Sequence, residues 1–174
     1  MNINRLRCLK NCELGKGTIV YWMQREQRVN DNWALIYAYE KAKERNDKLI
    51  VVFNLVTEFL QATYRQYYFM IEGLKEVEKY LAQLNISFYI TTGKPEEEIP
   101  KFILKHNAGL LITDFSPLNI IVGWKEKVSQ KITIPFYEID SHNIIPVWIA
   151  SNKLEFAAYT IRPRIKNLLP DYLD

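Results

Sequence analysis

The sequence predicts an α/β fold in which a five-stranded parallel sheet is flanked by helices on both faces. Apolar runs of strand length alternate with helical stretches, the order of elements in a doubly wound sheet with right-handed crossovers. Within each run, successive residues are apolar rather than alternately apolar and polar, as in strands buried on both faces. The chain of 174 residues, 48% of them hydrophobic, is long enough for one such domain with a substantial core.

The predicted strands are five apolar segments: TIVYW (18–22), KLIVVFN (48–54), ISFYI (86–90), GLLIT (109–113) and IPFYEI (134–139). The residues before them are polar and include three cations within the first ten positions. We therefore expect residues 1–16 to form a polar N-terminal arm and residues 17–174 to form a single α/β domain.

Four helices are predicted between the strands, at residues 32–45, 64–84, 96–106 and 119–130. Asn30 or Asp31 is expected to cap the first of them. The second carries an apolar stripe that should face the sheet, formed by Met70, Leu74, Val77, Leu81 and Leu84. Near the C-terminus, apolar residues recur at helical spacing, and Pro163 is expected to open a short helix there.

The overall composition excludes several classes of protein. Cys8 and Cys12 are the only cysteines, so neither a zinc site nor a disulfide framework is expected. The longest apolar runs have strand length, which predicts no membrane contact. Two cysteines and no export signal favour the cytoplasm. The net charge of +3 is too small to indicate a nucleic-acid-binding protein by itself.

Polar loops follow three of the predicted strands, at residues 24–32, 113–118 and 140–143. In doubly wound sheets, ligands bind outside the carboxyl ends of the strands, where the strand order reverses. We therefore expect these loops to converge on one rim and to line a ligand pocket. The predicted cofactor-binding residues are Arg25, Gln27, Arg28, Asp114, Ser116, Asp140, His142 and Asn143.

Other roles for these residues remain open at this point. Asp114 and Asp140 have the positions of an acid–base pair, but each also suits a residue that ties down a loop. His142 lacks a Ser or Cys partner in a recognisable nucleophile setting, so no catalytic residue is predicted. The polar stretch at residues 25–32 is equally suited to a capping network. Its lack of glycine disfavours dinucleotide and P-loop phosphate binding.

Five segments carry a resemblance to a known family: YWMQREQRVNDNWAL, FNLVTEFLQATYRQYYFMIEGLKEVE, LNISFYITTG, TDFSPL and HNIIPVWIASNKLEFAAYTIRPRI. In that order they resemble the N-terminal domain of class II cyclobutane pyrimidine dimer DNA photolyases. The resemblance extends from about Thr18 to Leu173. It implies a Rossmann-like α/β domain of the photolyase and cryptochrome type.

The resemblance also implies a function. In several members of this family the N-terminal domain holds an accessory antenna chromophore, which is an 8-hydroxy-deazaflavin in some class II enzymes. Their FAD-binding helical domain, which performs the light-dependent repair, is expected to be missing from this chain. FAD is therefore not expected here, and the chain alone is not expected to repair pyrimidine dimers. The alternative is a small-ligand or nucleotide-binding module on the same fold, without a light-driven role.

The same resemblance bears on partners. Residues 154–172 should lie near the helical domain of the family, so their apolar side chains are expected to bind a separate FAD-binding helical domain or a second copy of the chain. Arg162, Arg164 and Lys166 lie beside them and predict at most a weak or indirect contact with DNA.

Overall fold

The computed structural model describes residues 1–173 and contains one six-stranded sheet between two layers of helices. Its strands are β1 (Leu6–Lys10), β2 (Thr18–Met23), β3 (Leu49–Leu55), β4 (Ser87–Thr92), β5 (Ala108–Asp114) and β6 (Phe136–Ile139). Its helices are α1 (Trp33–Arg45), α2 (Tyr64–Gln83), α3 (Pro95–Lys105), α4 (Asn119–Lys131), α5 (Val147–Ala150) and α6 (Ala158–Leu168).

The strand order in the sheet is β1-β6-β5-β2-β3-β4. Strands β2 to β6 run parallel, as predicted, and β1 pairs antiparallel with β6. The chain proceeds from β2 to β3 and β4 on one side and then returns to β5 and β6 on the other. The strand order therefore reverses at β2, and the carboxyl end of β2 is the expected position of a ligand crevice.

The core consists of two apolar layers, one on each face of the sheet. Ile19, Tyr21 and Met23 of β2 pack on the face that α1 and α2 cover. Val20 and Trp22 alternate with them and pack on the opposite face, against α3 and α4. All five are at most 1% exposed. This double burial explains the continuous apolar runs of the sequence.

The N-terminus differs from the predicted arm, because residues 6–10 add a sixth strand to the edge of the sheet. Arg5 precedes this strand and is 5% exposed. Its guanidinium donates hydrogen bonds to the backbone oxygens of Asp140, Asn143 and Ile144, at 2.7–3.1 Å. These contacts connect the N-terminus to the loop after β6. The strand carries two exposed residues, so its sequence shows no continuous apolar run.

The bounds of α1 to α4 agree with the predicted helices to within one residue. The cap of α1 is Asn32, not Asn30 or Asp31. The Asn32 side chain accepts a hydrogen bond from the N–H of Leu35 at 3.0 Å. Asp31 has a φ of 52°, whereas a capping residue needs an extended backbone. No helix within residues 1–173 is both long enough and apolar enough to cross a membrane.

Pro163 lies inside α6 and does not open a helix, which corrects the prediction. The helix begins earlier because Thr160 donates its N–H and its hydroxyl to the carbonyl of Ala157, at 3.1 and 2.8 Å. None of the residues of α6 is buried.

Candidate functional site

A cavity of about 540 Å³ opens at the carboxyl ends of β2 and β3. It lies where the strand order reverses, the place at which doubly wound sheets bind ligands. Its lining comes from the ends of β2 and β3, the turn before α2, the first turns of α2, and the segment from residue 116 into α4. These residues include Trp22, Gln24, Arg25, Gln27, Phe53, Asn54, Phe59, Ala62, Gln66, Tyr67, Met70, Ser116, Leu118, Ile121 and Trp124.

The wall of the cavity is largely apolar, and five of its lining side chains are aromatic. Trp22 lies one residue before the end of β2 and is 1% exposed. Phe59, in the turn before α2, packs against Trp124 of α4 with ring centroids 5.8 Å apart. The Tyr67 hydroxyl fixes this turn, since it donates to the carbonyl of Val56 at 2.7 Å and accepts from the N–H of Phe59 at 3.0 Å. The cavity therefore has flat apolar surfaces held in place from α2 and α4.

Few polar groups line the cavity, and among the described residues of its lining only Arg25 is charged. The Asn54 amide donates to the carbonyl of Gly93 and accepts from the Thr91 hydroxyl, both at 2.9 Å. Ser116 is 2% exposed. Apolar walls with a few polar side chains are typical of pockets that bind planar cofactors.

The loop after β2 is held by Asp114, at the end of β5. This carboxylate is completely buried and accepts hydrogen bonds from the backbone N–H groups of Gln24, Arg25 and Glu26, at 3.0–3.2 Å. A buried N–H group without a partner is costly, so one side chain here satisfies three donors at once. Asp114 thereby sets the backbone that carries two of the residues lining the cavity.

Tyr21 supplies a fourth donor to Asp114, from its hydroxyl at 2.9 Å. Burial raises the pKa of Asp114, and these four donors offset part of that shift because they favour the carboxylate. Burial, followed by the neighbouring Asp114 charge, raises the pKa of Tyr21. Its hydroxyl therefore stays protonated and remains a donor.

A second group of polar residues lies beside the start of α1. The Glu26 carboxylate, 4% exposed, pairs with Arg28 at 2.9 Å and contacts the Nδ1 atom of His142 at 3.1 Å. The Asn32 amide donates to the carbonyls of Glu26 and Arg28, at 3.1 and 3.0 Å. This is the capping network that the polar stretch of residues 25–32 suggested as its alternative role.

Asp140 holds the loop after β6. It is completely buried and accepts hydrogen bonds from the backbone N–H groups of His142, Asn143 and Val147, at 3.0–3.1 Å. The Asn143 amide also donates to it. All the hydrogen bonds described for this carboxylate come from its own loop, so Asp140 holds that loop together.

The predicted site residues fall into two groups. Three line the cavity: Arg25, Gln27 and Ser116. Five lie outside its lining: Arg28, Asp114, Asp140, His142 and Asn143. The three residues of the loop after β6 lie outside because β5 separates β6 from β2. Asp114 binds the backbone of the loop after β2 instead, and Arg28 pairs with Glu26. The loop after β6 is also tied to α1, where the Ser141 hydroxyl accepts from the N–H of Ala34 at 2.9 Å.

Sequence reasoning missed the aromatic lining of the cavity and the part that β3 contributes. Phe59 and Tyr67 belong to the segment after β3, which was not among the three predicted loops. Met70 was assigned to the stripe that faces the sheet, but it lines the cavity instead. The signal in the sequence was the pair Phe59 and Tyr67 within the aromatic segment FLQATYRQYYF, which begins four residues after β3. The other aromatic residues of this segment are exposed and do not line the cavity.

Comparisons with known proteins agree on one family. The family model described as DNA photolyase matches residues 19–174. Deoxyribodipyrimidine photo-lyase of Arabidopsis thaliana is 45% identical over 159 residues, which cover 90% of this chain and 32% of that protein. The protein of the same name from Potorous tridactylus is 41% identical over 99% of this chain and 33% of its own length. The one from Methanothermobacter thermautotrophicus is 36% identical, over 89% and 34%.

The fold has a counterpart among solved structures. The crystal structure of a cryptochrome from Synechocystis sp. PCC6803 superposes with a TM-score of 0.71 at 16% identity, covering 91% of this chain and 34% of that chain. The chain spans about a third of the length of the curated relatives that it matches. The matched residues include the whole cavity and both of the loops that Asp114 and Asp140 hold. The chain belongs to the DNA photolyase family.

Proposed function

We propose that the cavity binds an accessory light-harvesting chromophore of the 8-hydroxy-deazaflavin type. Residues 1–173 then form the chromophore-holding domain of a photolyase of the class II type. One observation carries the proposal: a largely apolar cavity of about 540 Å³, with five aromatic side chains in its lining, opens at the point where the strand order reverses. Pockets of this size and lining suit a rigid ring system whose faces are apolar and whose edges are polar.

The charge of the lining favours such a pigment over a nucleotide. A nucleoside triphosphate needs several cations, a metal ion or a glycine-rich turn to balance its phosphates. The lining offers Arg25 within the described residues, and the loop after β2 has no glycine. A ligand with at most one acidic group therefore suits this cavity better than a polyphosphate.

We further propose that the bound pigment serves light-driven DNA repair, the activity after which the relatives are named. Splitting a pyrimidine dimer needs a redox cofactor, a pocket for the extruded bases and a basic groove for the DNA backbone. Residues 1–173 then collect light and pass its energy to a flavin in a helical partner domain. By themselves they do not split dimers.

The chromophore proposal is tested by titrating the purified chain with 8-hydroxy-5-deazariboflavin while the absorption and fluorescence of the pigment are recorded. We expect saturable binding of one pigment per chain and a shifted absorption band, since the ring system leaves water. ATP should not compete. A chain that binds ATP but not the pigment would instead be a nucleotide-binding module, and a chain that binds neither would refute the proposal.

We propose in addition that the surface around α6 associates with another helical surface. Leu154, Phe156 and Tyr159 are 80%, 91% and 75% exposed. Clusters of exposed apolar side chains mark association surfaces. The occupant is a flavin-binding helical domain or a second copy of the chain. Arg162, Arg164 and Lys166 add only a weak, salt-dependent attraction for DNA.

Replacing Phe156 with glutamate should weaken this association, because a charge would enter the apolar contact. Sedimentation velocity over a range of concentrations should show a dimer for the wild type and a shift toward monomer for Phe156→Glu. Tyr64→Glu is the matched control, since Tyr64 is 80% exposed on α2. A wild type that stays monomeric excludes the second copy. A pull-down read by flavin fluorescence then tests the helical domain.

A further inference from the structure

A chain of hydrogen bonds at the edge of the cavity fixes the orientation of the Gln24 amide. The Thr113 hydroxyl is completely buried and donates its hydrogen to the carbonyl of Trp22 at 2.9 Å. A hydroxyl has one hydrogen, so Thr113 can only accept from Gln24. The contact between them, 2.8 Å from Thr113 Oγ1, must therefore be made by the amide nitrogen of Gln24.

This orientation leaves the side-chain oxygen of Gln24 without a partner. The oxygen is buried and accepts no hydrogen bond from any residue within 1–173. Buried acceptors in native proteins nearly always have a partner, so an exception needs an explanation. Gln24 lines the cavity, and the terminal torsion of a glutamine is soft. A rotation about this torsion is needed to present the oxygen to a ligand in the cavity.

The other amides that line the cavity, those of Gln27, Asn54 and Gln66, form hydrogen bonds or are exposed to solvent. Asn54 uses both its nitrogen and its oxygen in contacts with Gly93 and Thr91. The Gln27 amide nitrogen donates to the backbone carbonyl of Gln24 at 3.0 Å. Within the described lining, Gln24 therefore differs from the other amides. Its side-chain oxygen is buried and accepts no hydrogen bond, and its contact with Thr113 sets the orientation of the amide.

We propose that Gln24 determines the specificity of the site by accepting a hydrogen bond from an imide N–H on the edge of the bound ring system. The inference rests on the proposed chromophore function and narrows the ligand to one whose inner edge carries a hydrogen-bond donor. A deazaflavin has this group at N3 of its pyrimidinedione ring. A ligand with an acceptor at that position would place two lone pairs against each other and bind weakly.

The test compares 8-hydroxy-5-deazariboflavin with its N3-methyl derivative, which lacks the donor. For the wild-type chain we expect the methyl derivative to bind roughly 100-fold more weakly, because a site that pairs a polar group rejects the analogue without it. In Gln24→Met both ligands should bind with similar affinity, since the acceptor is gone. In Thr113→Val the Gln24 amide loses its hydrogen-bond partner and can flip. The ratio of the two affinities should therefore fall.

The outcomes separate the two proposals. If the wild-type chain binds both ligands equally well, Gln24 does not select a ligand that carries a hydrogen-bond donor, although the site still binds the pigment. If it binds neither ligand, the proposed chromophore function fails and this inference fails with it. The wild-type comparison needs no variant, so it decides the matter even if Gln24→Met does not fold. Discrimination that persists in a folded Gln24→Met also overturns the proposal.

Discussion

Replacing Asp114 with alanine is expected to lower the free energy of unfolding by about 3–5 kcal/mol. The substitution removes the acceptor of three backbone N–H groups, in Gln24, Arg25 and Glu26, and of the Tyr21 hydroxyl. The donors of Glu26 and Tyr21 are buried and would lose their partner away from water. The loss should be measured by urea denaturation, with circular dichroism to confirm that the variant folds.

Two matched variants show whether the effect belongs to this network. Asp114→Asn keeps the shape and one acceptor oxygen, so it should cost less than the alanine substitution. Asn30→Ala removes an exposed polar side chain from the same loop and should change the stability by less than about 0.5 kcal/mol. If Asp114→Ala were as stable as Asn30→Ala, Asp114 would not be what holds the loop.

Placing a tryptophan at position 62 is expected to weaken pigment binding at least 100-fold while leaving the protein folded. Ala62 lines the cavity in the turn before α2 and is not buried in the core. An indole there takes up the space that the rings of a ligand need. Fluorescence titration with 8-hydroxy-5-deazariboflavin measures the affinity, and thermal unfolding measures the stability.

The control for this substitution is Ala82→Trp, which adds the same side chain to an exposed position of α2. It should bind the pigment as tightly as the wild type. If Ala62→Trp also bound as tightly as the wild type, the pigment would have to occupy another place. The rim around His142 and Asn143 would then be the first candidate.

The parallel part of the fold could be predicted because its central strands, β2, β3 and β5, are buried on both faces. The edge strand β4 is only partly buried, which corrects the expectation for its segment. Val20 packs on one side of β2 and Tyr21 on the other, so no polar residue interrupts the run. Strand β1 could not be predicted in the same way. It pairs along one edge only, and its segment, LRCLK, contains exposed and partly buried residues but no buried one. Its place depends on contacts with β6 that are distant in sequence.

The rule that doubly wound sheets bind ligands where the strand order reverses predicts a site at the loop after β2, and Arg25 and Gln27 of that loop line the cavity. The sequence could not tell which side chains of that loop point into a cavity and which satisfy the backbone. The same holds at the ends of the neighbouring strands. Asp114 and Asp140 were predicted to bind a ligand, but each is a buried carboxylate that accepts hydrogen bonds from backbone N–H groups. Only the three-dimensional hydrogen-bond partners separate the two roles.

A crystal structure of the chain soaked with 8-hydroxy-5-deazariboflavin tests the central claim most directly. We predict density for one planar ring system in the cavity, between Trp22, Tyr67 and Trp124, with its imide edge beside Gln24. Density for the pigment at the loop of residues 140–143, or an unchanged cavity at saturating pigment, would contradict the account.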